Sequence, residues 1–434
     1  MNNTEMRQTT HQQRLLWRTV TRRPDLPFMN INIHLQLNGA VDPAGFRDAL
    51  TRLANEQESL RTSFRESDGV LLRQVHAESR IDFDFADIRN ESPDRQDEIV
   101  RDALDRIYSD PMPLTSALAI RGCMYRLGDK DFRWIATLNH MAADGQSAYL
   151  LLVRCADLFN DDHSASTPHN FDRFIEEQNR FLAGPHASKQ MTFWRRYLEG
   201  FDPSDSPSMP TAPEKLSLHR SQLPQETIRK LAESGDGSLA HAQIVLKAAF
   251  VGLLACAFGH DDVGVFSILA NRSKEFQTTI GYLANIVIYR TRLDGDPSLQ
   301  ELLALTRASV YQASRHAKLP YLQLFSEIFQ EDYDRIPRYF FNLIPMPDHT
   351  PSYGQAAVRS VPGANDWIYW NGLEHHAIGL TIYSAMPYFA GIEWRYDSRI
   401  LRTEDLAKWD AAYLRLVDDL LSDRSYNLSD ITLS

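Results

Sequence analysis

The sequence predicts an α/β (α+β) fold made of two halves of similar size and style. Three observations carry this. Period-two strands and helices with a 3.6-residue apolar repeat follow one another in the first half, and the same happens in the second. Between them, from about Asn160 to Lys215, the composition turns to Ser, Pro and Asp in DDHSASTPHN and DPSDSPSMPTAPEK, the signature of loops or linkers.

Each element has its own reason. Ile31, Ile33, Leu35 and Leu37 alternate with Asn32, His34, Gln36 and Asn38, so a strand with one buried face is expected. Asp42-Pro43 supplies an N-cap and a first-turn proline. Phe46, Ala49, Leu50, Leu53 and Ala54 then follow at helical spacing, and Ile99, Val100, Ala103, Leu104 and Ile107 outline a second helix. Phe132 to Leu138 reads as a buried strand, Ala148 to Phe159 as a helix and Phe171 to Leu198 as one helical segment. In the second half, His241–Phe258 reads as a helix buried in the core and ended by Gly259. Val263–Leu269 and Ile286–Leu293 are strand-like. Gly379–Ser384 and Phe389–Tyr396 form a hairpin turning at AMPY. A last helix starts at Thr403 as N-cap. The division is placed at 1–178 and 179–434. No internal sequence repeat accompanies it.

Bulk composition excludes several function classes. The 434 residues are 43% hydrophobic and 24% charged, ordinary for a globular chain. A net charge of −11 with no basic cluster argues against an extended nucleic-acid surface. Cys123, Cys155 and Cys256 lack CxxC spacing and read as free thiols of a reducing compartment. The polar N-terminus is no secretory signal, and the most apolar window, Ile244 to Phe258, is short and contains Lys247. A cytoplasmic protein without a membrane partner is expected. Phosphate loops of the G-x-x-x-x-G-K-S/T type, G-x-G-x-x-G and G-x-S-x-G are absent from the sequence. Glu374-His375-His376 looks like a ligand cluster, but neighbours on a strand face opposite sides. His260-Asp261-Asp262 reads as a solvated turn. No metal is predicted.

One stretch concentrates chemistry. In IATLNHMAADGQSAYLL, an apolar run stops at Asn139-His140, and Asp144-Gly145 opens a helix. His140 suits a general base, since imidazole titrates near neutrality. Gly145 admits close approach to a helix N-terminus, where negative charge is favoured. The plainer alternative is that Asp144 caps the helix and His140 merely ends a strand. Spacing alone favours the plainer one.

The wider sequence resembles the condensation-domain group of the chloramphenicol-acetyltransferase-like acyltransferases, whose core motif is H-H-x-x-x-D-G. TTHQQRLLW is similar to that family's first helix, and ANEQESLRTSF to its motif ending in L-R-T-x-F. Phe193-Trp194 to Gly200 resembles its W-x-x-x-L-x-G segment. VGVFSILANRSKEFQTTIGYLANIVIYRTRL resembles its arginine loop with I-G-x-x-x-N. HAKLPYLQLF and RYFFNLIP match later motifs. The matches run in family order from Thr9 to about Trp409.

The resemblance implies two similar lobes in a V with a tunnel between them. The 1–178 lobe would carry the H-x-x-x-D-G motif, and the 179–434 lobe the arginine loop. His140 would be catalytic, with Gly145 beside the reacting carbonyl. Asp144 would be structural, paired with Arg272 from the other lobe's loop, and Asn139 would stand where many members have the first histidine. Tyr282, Asn285 and Asn342 would line the tunnel. The resemblance implies no bound cofactor: the donor is a phosphopantetheine thioester on an acyl or peptidyl carrier protein, or CoA, and the acceptor an amine or hydroxyl. The expected protein is a free-standing monomeric condensation-type acyltransferase of natural-product (nonribosomal peptide or polyketide) assembly. An acyl-CoA-dependent transferase and a non-catalytic docking module are the alternatives.

Overall fold

The computed structural model describes residues 6–22, 30–162, 171–203, 217–332, 335–345, 351–360, 369–370, 377–385 and 389–433. The proposed cluster at 374–376 and the AMPY turn lie outside the described residues. Contacts divide the chain into two compact units. The first comprises Met1–Gly184, Ala270–Ala284 and His349–Gly372; the second comprises Pro185–Leu269, Asn285–Asp348 and Leu373–Ser434. The division in the linear chain falls at Gly184–Pro185. Two segments that the sequence reading assigned to the second half join the first unit.

The first unit contains β1 (Met6–Gln8), α1 (His11–Arg22), β2 (Asn30–Asn38), α2 (Pro43–Glu56), β3 (Thr62–Ser67), β4 (Val70–Val75), β5 (Arg80–Asp87), α3 (Pro93–Ser109), β6 (Leu118–Gly128), β7 (Asp131–Asn139), α4 (Gly145–Phe159) and α5 (Phe171–Ala183). The second contains α6 (Pro185–Tyr197), β8 (Ser217–Gln222), α7 (Gln225–Glu233), α8 (Leu239–Phe258), β9 (Asp262–Leu269), β10 (Asn285–Arg292), α9 (Leu299–Ser314), α10 (Tyr321–Glu327) and β11 (Tyr339–Pro345). The short strands β12 (Ser352–Tyr353), β13 (Ala356–Ser360) and β14 (Tyr369–Trp370) then return to the first unit. Finally β15 (Ile378–Ala385), β16 (Phe389–Tyr396) and α11 (Thr403–Leu421) complete the second.

Each unit is built on one main sheet. In the first the order is β12-β13-β2-β7-β6-β5, with β14 also paired to β2. In the second it is β10-β9-β11-β15-β16-β8. The β2–β7 pair is antiparallel, Asn30 opposite Asn139 and Leu37 opposite Phe132. The apolar face of β2 packs with Phe46, Leu50 and Leu53 of α2 and Leu151, Leu152 and Cys155 of α4. Its polar face is also covered, contrary to the one-faced expectation: Asn30, Asn32 and His34 are all buried. A strand inside the sheet has neighbours on both edges, and α3 lies over the same face of β6 and β7, packing Ala103 and Ile107 on Cys123 and Ile135.

Local signals account for most helix ends. Asp42 accepts the N–H groups of Ala44 and Gly45 at the start of α2, with Pro43 at the first position. The single helix expected over Phe171–Leu198 is instead two, α5 and α6, broken at Gly184-Pro185, because proline has no N–H to continue the ladder. Thr403 is the first residue of α11 rather than its cap; its hydroxyl accepts from Tyr396 instead. Gly259 ends α8 in the left-handed region at φ 71°, its N–H on the Ala255 carbonyl. Among the described residues α8, at 20 residues, is long and apolar enough to cross a membrane, and 72% of its 18-residue apolar window is buried. Length alone therefore does not exclude a span. What surrounds the helix is the core of its own unit, including Leu302, Phe341 and Trp394.

Candidate active site

The turn after β7 is built from the side chain of its last residue. Asn139 Oδ1 accepts the N–H of Met141 at 2.8 Å, and its carbonyl accepts the N–H of Ala142 at 2.9 Å. Asparagine favours such turns because its short amide reaches the backbone two residues on. Gln13 Nε2 donates to the Met141 carbonyl at 2.8 Å and fastens the turn to α1. His140 sits at this corner, 5% exposed. Its ring lies 5.0 Å from that of Tyr282, edge-on at 61°. Burial pushes the imidazole pKa below its ordinary 6.5, against the opposing pull of backbone hydrogen bonds and the Asp144 charge. At neutral pH the ring is uncharged and able to accept a proton.

Asp144 holds the other side of the turn. As N-cap of α4 it accepts the N–H of Ser147 at 2.8 Å. Arg272 grips both carboxylate oxygens, at 2.8 and 2.9 Å, in the forked geometry that suits guanidinium to carboxylate. The N–H groups of Leu283 and Ala284 add two more bonds, at 3.0 and 2.9 Å. Burial would raise this carboxyl's pKa, but Arg272 and the hydrogen bonds from Ser147 and Leu283 outweigh it and hold the value below the usual 3.8. Both partners of the ion pair are 2% exposed in their side chains. Asp144 is thus a helix cap and an ion-pair anchor together, which joins the two readings of its spacing.

Ser147 completes the lock, and the sequence reading passed it over. Its hydroxyl donates to the Gly281 carbonyl at 2.7 Å and accepts from Gly281 N–H at 3.0 Å and Arg272 at 2.7 Å. The partners stand 134 residues apart in sequence, so no local signal announces them. The loop carrying Arg272 is shaped to meet them. Asn271, at φ 52°, closes it by donating to the Leu283 carbonyl. Phe276 and Leu283 pack with Phe171, Phe174 and Ile175 of α5. At Gly281 an added Cβ would come within 2.5 Å of the Phe171 ring, so only glycine fits. Gly145 is the opposite case: an added Cβ would meet no protein atom within 4 Å, and φ is not positive. Packing does not demand glycine there.

The structure therefore brings Asn139, His140, Asp144, Gly145, Arg272 and Tyr282 together in the first unit. Asn285 and Asn342 belong to the second. Asn285 is 2% exposed and its amide is fully engaged, donating to the carbonyls of Ala317 and Leu319 and accepting the N–H of Tyr321. It shapes the turn into α10, and the tunnel-lining role expected of it has no free polar atom to rest on. Asn342, partly exposed on β11, stands opposite Thr381 and faces away from the side on which Phe341 joins the core. Among the described residues, no group of three or more His, Cys, Asp or Glu is arranged to hold a metal ion.

The family model for the condensation domain matches residues 2–337. The chain is 27% identical over 328 residues to the phosphinothricin tripeptide synthetase PhsC of Streptomyces viridochromogenes, covering 73% of this chain and 30% of that protein. It is 21% identical over 419 residues to bacitracin synthase 3 of Bacillus licheniformis, covering 92% of this chain and 6% of the relative. It thus spans only a small fraction of the length of the curated relatives it matches. Among solved structures, a mutant starter condensation domain of rhizomide synthetase RzmA in complex with C8-CoA superposes with a TM-score of 0.85 at 17% identity, over 98% of this chain and 97% of that one. The condensation domain of the monacolin K polyketide synthase MokA gives 0.83 at 15%, over 98% and 99%. At such identities the structural likeness is one of fold. With the family model covering most of the residues, including every one in the His140–Arg272 cluster, the chain belongs to the condensation-domain family, whose members form amide or ester bonds by acyl transfer.

Proposed function

We propose that this chain transfers an acyl or peptidyl group from a phosphopantetheine thioester on a carrier protein to an amine or hydroxyl nucleophile. The observation that supports the reading most is His140: buried, neutral, and held at a corner whose flanking residues are hydrogen-bonded on both sides. A neutral imidazole takes the proton of the nucleophile as it attacks the thioester carbonyl. The C–N or C–O bond forms, the tetrahedral intermediate collapses, and the C–S bond breaks. The departing thiolate takes the proton back from the imidazolium, so atoms and charge balance. Helix α4 begins at Gly145, and its first-turn N–H groups and dipole favour the negative charge that develops on the carbonyl oxygen. The space left by the missing Cβ of Gly145 suits a reacting carbonyl. Thioester acyl transfer runs downhill, which fits a sequence without a nucleotide-binding motif.

A CoA thioester as donor is the second reading, favoured by the complex of the RzmA starter domain with C8-CoA. The test is His140→Ala, assayed by mass spectrometry with matched acyl-carrier and acyl-CoA donors and candidate amines and alcohols. Product formation should fall by about 10² to 10⁴, the usual contribution of a positioned base, with an unchanged melting temperature. Undiminished product would sink the assignment. Because burial depresses the His140 pKa, activity should persist as pH falls through 6.5 and be lost only at more acid pH, where the ring charges.

A further inference from the structure

In the second unit, α6 and α9 leave an open cleft of about 460 Å³ between them. Phe193 and Tyr197 of α6 form one wall, stacked with ring centroids 5.2 Å apart at 20°. Leu305 and Ala308 of α9 form the other. The small side chain of Ala308 keeps the cleft open, and Leu305 is 38% exposed although it is aliphatic.

Three arginines border the cleft, in different states. Arg290 is buried and fully committed: it pairs with both oxygens of Asp262 and donates to the carbonyls of Tyr197 and Glu199. It belongs to the framework. The side chain of Arg196 is exposed and makes no hydrogen bond or ion pair among the described residues. Arg292, also exposed, donates only to the carbonyl of Glu199, at 3.1 Å. Arg89, Arg229 and Arg402 by contrast each pair with two carboxylates. Arg196 and Arg292 both present exposed guanidiniums beside the aromatic cleft.

We infer that this cleft docks an acidic peptide segment of a partner protein, an apolar side chain seated between Phe193, Tyr197, Leu305 and Ala308 and flanking carboxylates taken by Arg196 and Arg292. Aromatic and arginine side chains are the usual anchors of protein interfaces, and guanidinium matches carboxylate in a bidentate fork. The cleft is open, which suits a chain passing through it better than an enclosed small molecule. None of these residues belongs to the His140 machinery, so the docking reading stands or falls apart from the proposed reaction.

The experiment is selection of a random phage-displayed peptide library on the full chain, followed by fluorescence anisotropy with the selected peptides. Peptides should be enriched in Asp or Glu on both sides of Leu, Phe, Tyr or Trp. The double variant Arg196→Glu/Arg292→Glu should weaken them by on the order of tenfold or more, and added salt should weaken them as well. Ala308→Trp, which fills the cleft without touching charge, should also abolish binding in a protein whose circular dichroism is unchanged. The inference is overturned if the selected peptides lack the acidic–apolar pattern, or if they bind both variants as well as the natural protein. It is also overturned if inorganic pyrophosphate alone binds as tightly and displaces them, which would make this a simple anion site.

Discussion

Asp144 and Lys247 are both ionisable, both buried, and treated in opposite ways. Asp144 sits among five N–H donors, two of them on a guanidinium, and its charge is preserved. Lys247 lies mid-way along α8, fully buried, and its nitrogen has no hydrogen-bond partner. It rests 3.5 Å from the ring centroid of Tyr289 and 5.4 Å from that of Phe341. Burial alone drives its pKa well below 10.5. One site commits donors to keeping a charge; at the other, burial works against the charge. The first unit needs a rigid turn at His140, and a saturated ion pair supplies rigidity. At position 247 the second unit offers the amine only apolar surroundings and the faces of two rings.

That contrast breaks most visibly at the ion pair. Arg272→Ala or Asp144→Ala should each cost about 3–5 kcal/mol in denaturant unfolding, since either leaves a buried charge without its partner. The double variant should cost clearly less than the sum; additive losses would mean that the pair is not a unit. At Lys247 the sign reverses. Lys247→Met should stabilise the protein by on the order of 1–3 kcal/mol at pH 7, because folding must either bury the amine's charge or strip its proton, and a thioether requires neither. The depressed pKa makes the natural protein gain stability as pH rises toward 10.5, by about 1.4 kcal/mol per pH unit at most, and the variant should lose that slope. A destabilised Lys247→Met would show that more than two rings hold the amine.

Smaller effects test the turn itself. Gly145→Ala should leave the melting temperature unchanged or slightly raised, as a first-turn alanine with free space around it, yet lower kcat/KM by roughly tenfold if a substrate carbonyl fills that space. Equal activity would separate Gly145 from the reaction. Least of all, Asn139→His should keep activity within about threefold, because a neutral imidazole nitrogen replaces the amide oxygen that accepts Met141 N–H. Activity appearing from nothing in that variant would mean that the natural protein is not the transferase proposed above.

Much of the fold is written locally in the chain. The alternation of β2, the Asp42-Pro43 start of α2, the apolar run of α8 and its Gly259 stop depend on neighbours within a few residues, and each is found where the pattern puts it. His140, Asp144 and Arg272 were readable only as members of an ordered series of motifs. What local reading misses is set by distant partners. Ser147 looks like any first-turn serine until Gly281 arrives 134 residues later. Asn285 looks like a candidate site residue because it matches the last position of I-G-x-x-x-N, whereas its amide is engaged by partners at Ala317, Leu319 and Tyr321. The strands β12 and β13 are too short to carry a period, and the pairing of β13 to β2, with β12 added at its outer side, is decided by the sheet rather than by their own residues.

The loop of residues 270–284 has a consequence for protein engineering. Its flanks, β9 and β10, pair along their length within the second unit, while the loop itself is assigned to the first. A chimaera that joins the first 184 residues of this chain to the remainder of a relative would import a foreign arginine loop against the native Asp144 and Ser147. Crossovers at Leu269/Ala270 and Ala284/Asn285, carrying the native loop along with its receptor, keep the lock and its key from one parent.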